Sequence, residues 1–509
     1  MVPFPRPFRP QGPMHLPADA PSLSLGLFLL LAVGLALGFE VINGFHDTAN
    51  AVATVIYTHT LPAVPAVVWS GIWNLVGVLV SSGMVAYAVL GLLPVDLVLD
   101  AGSGTALAMV FSLLVSAIVW NLGTWWVGLP ASSSHSLVGA ILGVGLGNAL
   151  MTGGRLGGSG VNWGKAAEVG VALLVSPLAG FLGGALLLTL AKRLVRRPEL
   201  YRAPAPGRPP PLWIRVLLVL TCTGVSFAHG SNDGQKGMGL IMLVLVGILP
   251  GRYALRMDTE PAAIRQVAAA IRPAVQVLER RAGGGQVSRT RAGAELARYL
   301  GYGGRLGPET WPALAVQARS LQDRLDGLRS FADLGAQDRG RLREEAWLVL
   351  ETIRKLDRTG LLLGPGDREV LRTCAGRLAD SIQFIPVWVK VAVAAALALG
   401  TMVGWKRIVV TVGEKIGQEH LSYAQGAAAE LVAMTTIGAA DLLGFPVSTT
   451  HVLSSGVAGT MMANRSGLRA GTVRSMLLAW LLTLPVCVFL GASTFALGLN
   501  LVLHVSGLR

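Results

Sequence analysis

One eight-residue pattern occurs twice in this chain and limits what the rest can be. Gly128–His135 reads GLPASSSH, Gly444–His451 reads GFPVSTTH, and small residues recur at intervals of four after each. Gly139, Gly143 and Gly147 in the first copy correspond to Ser455, Gly459 and Ala463 in the second. That spacing puts them on one helix face, where small side chains let another helix approach closely. A second pair is looser: GFHDTANAVA (Gly44–Ala53) aligns with GSNDGQKGMG (Gly230–Gly239), matching Asp47 to Asp233 and His46 to Asn232. Asp47 precedes Ser132 by 85 residues, whereas Asp233 precedes Ser448 by 215. The second interval is longer by 130 residues, the length of a polar block from about Gly251 to Asp380. Without that block the halves are in register, so the chain reads as a duplication interrupted by an insertion.

The surroundings are apolar. Hydrophobic residues make up 52% of the chain and charged ones 14%, with a mean hydropathy of +0.58, which excludes an ordinary soluble protein of 509 residues. Windows able to cross a bilayer are Leu23–Ile42, Val64–Leu93, Ala106–Val127, Val169–Ala191, Val387–Val403 and Met476–Val505. The last is long enough for one kinked span or two, with Pro485 near its middle. The expected fold is an all-α polytopic membrane protein of two homologous halves, each of about five spans or re-entrant segments. A basic loop between the halves is compatible with inverted repeats if each half has an odd number of spans.

The expected organisation begins with a disordered Pro-rich tail over 1–22, read as neither a signal peptide nor a span. The first transmembrane repeat covers 23–191, and a basic cytoplasmic loop 192–212. The second repeat starts over 213–250, is interrupted by a soluble helical insertion over 251–383, and resumes over 384–509. The polar block holds 22 of the 42 basic and 16 of the 28 acidic residues. Leu314, Ala318, Leu321, Leu325 and Leu328 form a helical apolar stripe there, as do Ala346, Leu350, Ile353 and Leu356.

The net charge of +14 lies in loops such as Lys192–Arg215, where aromatic residues do not interleave with the basic ones in a way that suggests base stacking, so no nucleic-acid partner is expected. Three separated cysteines suggest neither disulfides nor a zinc site. An enzyme is not expected either: Ser134 and His135 are adjacent, but neither an orienting acid nor a nucleophile elbow accompanies them. Duplicated halves with Gly/Pro-interrupted apolar segments at matching positions are the mark of a secondary transporter.

Pro130 and Pro446 break their helices, which places Ser132 and Ser448 at capping positions of fresh ones. Free N–H groups, the positive dipole end and the hydroxyls of Ser133, Ser134, Thr449 and Thr450 make such a start a site for an oxyanion. The plainer reading is that the hydroxyls satisfy backbone carbonyls inside membrane helices; duplication in register favours binding. Asp47 and Asp233 are expensive in lipid and mark an ion or proton path. With Asn43, Asn50, Asn232 and Gln235 they offer oxygen ligands suited to a hard cation. Lys236, present only in the second copy, is placed to neutralise Asp233 or attract an anion. Glu430 is a proton carrier or a satisfied interface acid, and His135 and His451 rank as flanking hydrogen-bond partners.

The stretches NGFHDTANAVATVIYT, GLPASSSH, HGSNDGQKGMGLIMLVL and GFPVSTTHVLSSGVAGTM closely resemble the PiT family of inorganic phosphate transporters, in particular its low-affinity bacterial branch. The resemblance runs from about Leu23 to Leu503. It implies symport of inorganic phosphate across the bacterial cytoplasmic (inner) membrane, coupled to protons, with phosphate carried as a complex with a divalent metal such as magnesium. No bound cofactor is implied. Carried over by position, Asp47, Asn50, Asn232 and Asp233 belong to the ion site, and Ser132, Ser133, Ser134, Ser448, Thr449 and Thr450 surround phosphate. His46 stands where many members carry an asparagine, a departure that bears on sodium coupling. The partners implied are inorganic phosphate and membrane lipid, with a homodimer as a candidate assembly. The rival readings are a sodium-coupled phosphate or sulfate symporter, a passive channel, and a phosphate-sensing membrane protein.

Overall fold

The computed structural model describes residues 23–92, 104–151, 161, 163–204, 209–301, 304–361 and 364–505; the tail over 1–22 lies outside them. The described residues are helical throughout, with one isolated β-bridge between Gly417 and Leu468. The first half contains α1 (Leu23–Asp47), α2 (Ala49–Tyr57), α3 (Ala63–Val80), α4 (Met84–Leu90), α5 (Gly104–Trp126), α6 (Ser133–Met151) and α7 (Trp163–Leu194). The second half opens with α8 (Leu212–Ile248) and a single turn, α9 (Pro250–Tyr253). A polar bundle follows: α10 (Pro261–Ala282), α11 (Arg289–Leu300), α12 (Thr310–Leu325), α13 (Ala336–Arg358) and α14 (Pro365–Ile382). The second half then resumes with α15 (Val387–Met402), α16 (Lys406–Val410), α17 (Tyr423–Leu442), α18 (Thr449–Asn464) and α19 (Ala470–Val505).

Seven of the described helices are long and apolar enough to cross a membrane. Two of them, α6 and α8, fall outside the apolar windows read from the sequence because their motif residues dilute the hydrophobic signal. The window Val64–Leu93 is not one span: Ser81–Gly83 breaks it into α3 and the short α4, with Gly83 at φ 87°. The window Met476–Val505 lies within one continuous helix, α19, that carries Pro485 inside it. Loop 192–212 and the polar bundle sit at opposite ends of α8, whose 37 residues extend ~55 Å.

Packing repeats under exchange of the halves. Helix α1 packs on α15 as α8 packs on α3, and α6 packs on α19 as α18 packs on α7. Two motif glycines permit the first set of contacts. A Cβ on Gly44 would collide with the Leu397 carbonyl of α15, and one on Gly230 with the Asn74 carbonyl of α3. The small-residue face of α6 lies against Leu484, Val488 and Ala492 of α19, and that of α18 against Gly180 and Phe181 of α7.

The polar bundle has its own core, in which Leu314, Ala318, Leu321, Leu350, Ile353 and Leu356 are buried. Its two ends are tied together where Arg256 N donates to Ser381 O at 3.2 Å. It rests on the membrane region through Trp347, which packs against the apolar core there, and through Tyr87, whose hydroxyl donates to Phe384 O at 2.8 Å.

Candidate functional site

Each serine-rich loop turns on a glycine with the same left-handed backbone, φ 71° at both Gly128 and Gly444. That conformation strains any side chain with a Cβ. A proline and then a serine follow, and the serine caps the new helix. Ser132 Oγ accepts from His135 N at 3.2 Å, and Ser448 Oγ accepts from His451 N at 3.1 Å. The capping expected from sequence is therefore present in both copies, and the two helix starts face each other with all six hydroxyl residues buried.

Asp47 ends α1, with only Thr48 between it and α2, while Asp233 lies within the unbroken α8. Both carboxylates are buried, and the helix starts reach them in a regular way. Ser133 Oγ donates to Asp47 Oδ2 at 3.1 Å, and its counterpart Thr449 donates to Asp233 Oδ2 at 3.5 Å. The next hydroxyls cross between halves. Thr450 donates to Asp47 Oδ1, whereas Ser134 accepts from Lys236 Nζ at 2.5 Å and donates to Val447 O at 2.7 Å. Lys236 Nζ also lies 2.8 Å from Asp233 Oδ1.

Between the aspartates stands His229, a motif histidine that was not among the candidate ligands read from the sequence. Its ring nitrogen Nε2 is 3.8 Å from Asp47 Oδ2 and 3.6 Å from Asp233 Oδ2. The other nitrogen, Nδ1, lies 3.0 Å from Asn74 Oδ1, and Asn74 Nδ2 donates to Thr401 Oγ1 at 2.8 Å. An amide oxygen only accepts, so Nδ1 donates in this arrangement, and Nε2 points between two carboxylates. Asp47, His229 and Asp233 offer ligand atoms that all lie within 4.8 Å of one another. Two carboxylates around one ring nitrogen make a place that favours positive charge. The signal in sequence was the spacing His229, Asp233, Lys236, which puts all three on one face of α8.

Other candidates occupy the margin. His46 Nε2 meets Thr124 Oγ1 at 3.1 Å, and its Nδ1 is 3.9 Å from Asp47 Oδ1. Asn232 donates its amide to Phe445 O at 3.1 Å, and Asn43 donates to Glu40 Oε2 at 3.2 Å. The side chain of Asn50 lies outside the described residues. Glu430 is not brought to the aspartates' hydrogen-bond cluster: its two oxygens accept from Thr54 and Thr221. His135 and His451 meet each other ring to ring.

Residues 43–491 match the model of the phosphate transporter family, a stretch that contains both helix starts and both aspartates. The chain belongs to that family. This phosphate transporter is 41% identical over 506 residues to the low-affinity inorganic phosphate transporter PitA of Escherichia coli K12, covering 96% of the chain and 99% of the relative. It is 40% identical over 500 residues to PitB of the same strain, covering 94% and 98%. A solved structure titled the sodium-dependent phosphate transporter shares the fold, with a TM-score of 0.52 at 19% identity, covering 93% of this transporter and 99% of that chain. The protein is therefore a multi-pass membrane transporter of inorganic phosphate, and not an enzyme.

Proposed function

We propose that this phosphate transporter is a proton-coupled symporter whose cargo is phosphate bound to a divalent cation such as magnesium. The observation that carries the reading is His229 Nε2 standing between the carboxylates of Asp47 and Asp233. Two formal negative charges and a single lysine would repel a bare phosphate dianion. A divalent cation held by the two carboxylates reverses that sign; their oxygens suit a hard ion such as magnesium, and the imidazole nitrogen between them widens the set toward softer divalent ions. Phosphate oxygens then accept from the hydroxyls and free N–H groups at the two helix starts, whose dipoles favour an anion.

His46 favours proton over sodium coupling, because its ring stands beside Asp47 where an amide oxygen would serve sodium. Inverted halves are part of the same reading. Gly128 lies near Thr411 beyond the far end of α15, whereas Gly444 lies against Met84 beside the bundle. These neighbours support the reading that the two helix starts enter from opposite sides, the arrangement that inverted-repeat transporters use for alternating access around one central site.

The test is uptake of labelled phosphate by proteoliposomes, with and without magnesium and sodium, across imposed pH gradients. Uptake is expected to need magnesium, to ignore sodium and to collapse with an uncoupler. A sodium requirement overturns proton coupling; full uptake in chelator overturns the metal complex. Competition by sulfate as strong as by phosphate overturns selectivity for phosphate.

A further inference from the structure

The hydroxyl contacts are symmetric except at one place, and Lys236 is the exception. Ser133 and Thr449 each reach the aspartate of their own half. Thr450 crosses to bond Asp47 directly, so exchange of the halves would have its counterpart Ser134 bond Asp233. Instead the Lys236 ammonium stands between them, 2.5 Å from Ser134 Oγ and 2.8 Å from Asp233 Oδ1. In the first half the position corresponding to Lys236 is Asn50, three residues after the aspartate, which carries no charge. Lys236 is fully buried.

We propose that Lys236 is a tethered counter-cation, occupying the place beside Asp233 that a second exchangeable monovalent cation would otherwise fill. The proposal rests on the reading of the aspartates as the ion site. Its ammonium engages Oδ1 of Asp233 and leaves Oδ2 facing His229, Thr449 and the shared ligand cluster. The formal charge of the empty site is then −1 rather than −2, from Asp47, Asp233 and Lys236. A divalent cation arriving with a phosphate dianion adds no net charge, so the loaded and empty sites differ only by the coupled proton. The carrier therefore returns empty without a further ion, which a bare pair of buried carboxylates would demand. Lys236 acts through Asp233 and the hydroxyl of Ser134, as a positioning residue that sets which ions the cycle needs.

The experiment compares wild type, Lys236→Gln and Lys236→Arg in proteoliposomes, measuring phosphate uptake with sodium, lithium or choline as the only monovalent cation. Thermal unfolding of each purified variant is recorded in the same three salts without phosphate. In choline, Lys236→Gln is expected to lose at least about tenfold of uptake, because a buried carboxylate has lost its partner. Sodium or lithium is expected to restore much of it and to stabilise the variant against heat, an effect absent from wild type. Lys236→Arg keeps a tethered charge and stays indifferent to the salt. Unchanged uptake of Lys236→Gln in choline overturns the proposal. So does a folded Lys236→Gln that no cation revives, or a new sodium requirement in Lys236→Arg. If Lys236→Gln cannot be purified folded, the arginine variant decides alone: indifference supports the proposal and a requirement overturns it. A sodium requirement already present in wild type would overturn proton coupling, while the difference between variant and wild type still judges Lys236.

Discussion

His135 and His451, the same residue of two copies of one motif, meet ring to ring with centroids 4.6 Å apart and planes inclined by 39°. Trp480 stacks on His451 at 4.1 Å, and its Nε1 donates to Pro130 O at 2.9 Å. One indole thus fixes the loop of the first helix start against the ring of the second. Trp480→Phe keeps a ring over His451 but loses the donor, and is expected to cost about 1 kcal/mol. His451→Ala opens a buried void and is expected to cost roughly 2–5 kcal/mol. Thermal unfolding of the purified transporter reads both; equal, negligible shifts would show that the stack carries no load.

Asp47→Asn and Asp233→Asn are each expected to abolish coupled phosphate uptake while leaving membrane insertion and folding intact. Ser133→Ala and Thr450→Ala each remove a hydroxyl that donates to Asp47 and belongs to the proposed phosphate-binding helix starts, so uptake is expected to fall by about 10–100-fold, the usual scale for groups that orient an ion ligand. Labelled uptake, normalised to folded protein recovered by size exclusion, checks all four. Normal uptake by both aspartate variants would refute the roles given to the acids.

The close approach at the motif glycines makes a comparison with an internal control. Gly44→Ala and Gly230→Ala each push a methyl group into a neighbouring helix carbonyl, whereas Gly38 has open space around its would-be Cβ. The first two are expected to destabilise the protein by about 1–3 kcal/mol, the cost of overpacking a tight interface. Gly38→Ala is expected to be neutral or slightly stabilising, since alanine is the better helix former. Melting temperatures of the three variants settle the matter.

In the soluble bundle, Asp357 accepts from Arg368 Nε at 2.6 Å and from Arg372 Nε at 2.7 Å. Burial raises its pKa, but the hydrogen bonds from Arg372 and Arg368 outweigh this and hold it below the ordinary aspartate value of 3.8. A carboxyl depressed on folding contributes stability above its unfolded pKa and loses it as pH falls through the folded one. Helices α13 and α14 are therefore expected to loosen below about pH 4, and Asp357→Asn to flatten that dependence. Hydrogen exchange on peptides from the two helices, in the intact transporter at acidic and neutral pH, reads the effect.

The sequence made the duplication, the insertion and the helix starts legible because each rests on local rules. A proline after glycine ends a helix, a serine caps the next, and the two copies agree in spacing. Ser132 and Ser448 accordingly form matching caps. Spans α6 and α8 were harder to read as apolar windows, since the residues that give them their chemistry also lower their hydropathy. His229 and Asn74 were not legible as partners at all. They lie 155 positions apart and meet only because α3 packs on α8. Crossing contacts such as Thr450 to Asp47 are equally a product of tertiary packing.

The bundle between α9 and α15 leaves and re-enters the membrane region through a neck closed by the Arg256–Ser381 hydrogen bond. Two chain ends held that close form a natural port for inserted protein. A segment can be lengthened, exchanged or replaced there with little demand on the helices on either side, because the gap to be bridged is already short. The same geometry makes this neck a place to splice a fluorescent or affinity module into the transporter. It also explains how the second half can carry some 130 extra residues and still keep its register with the first.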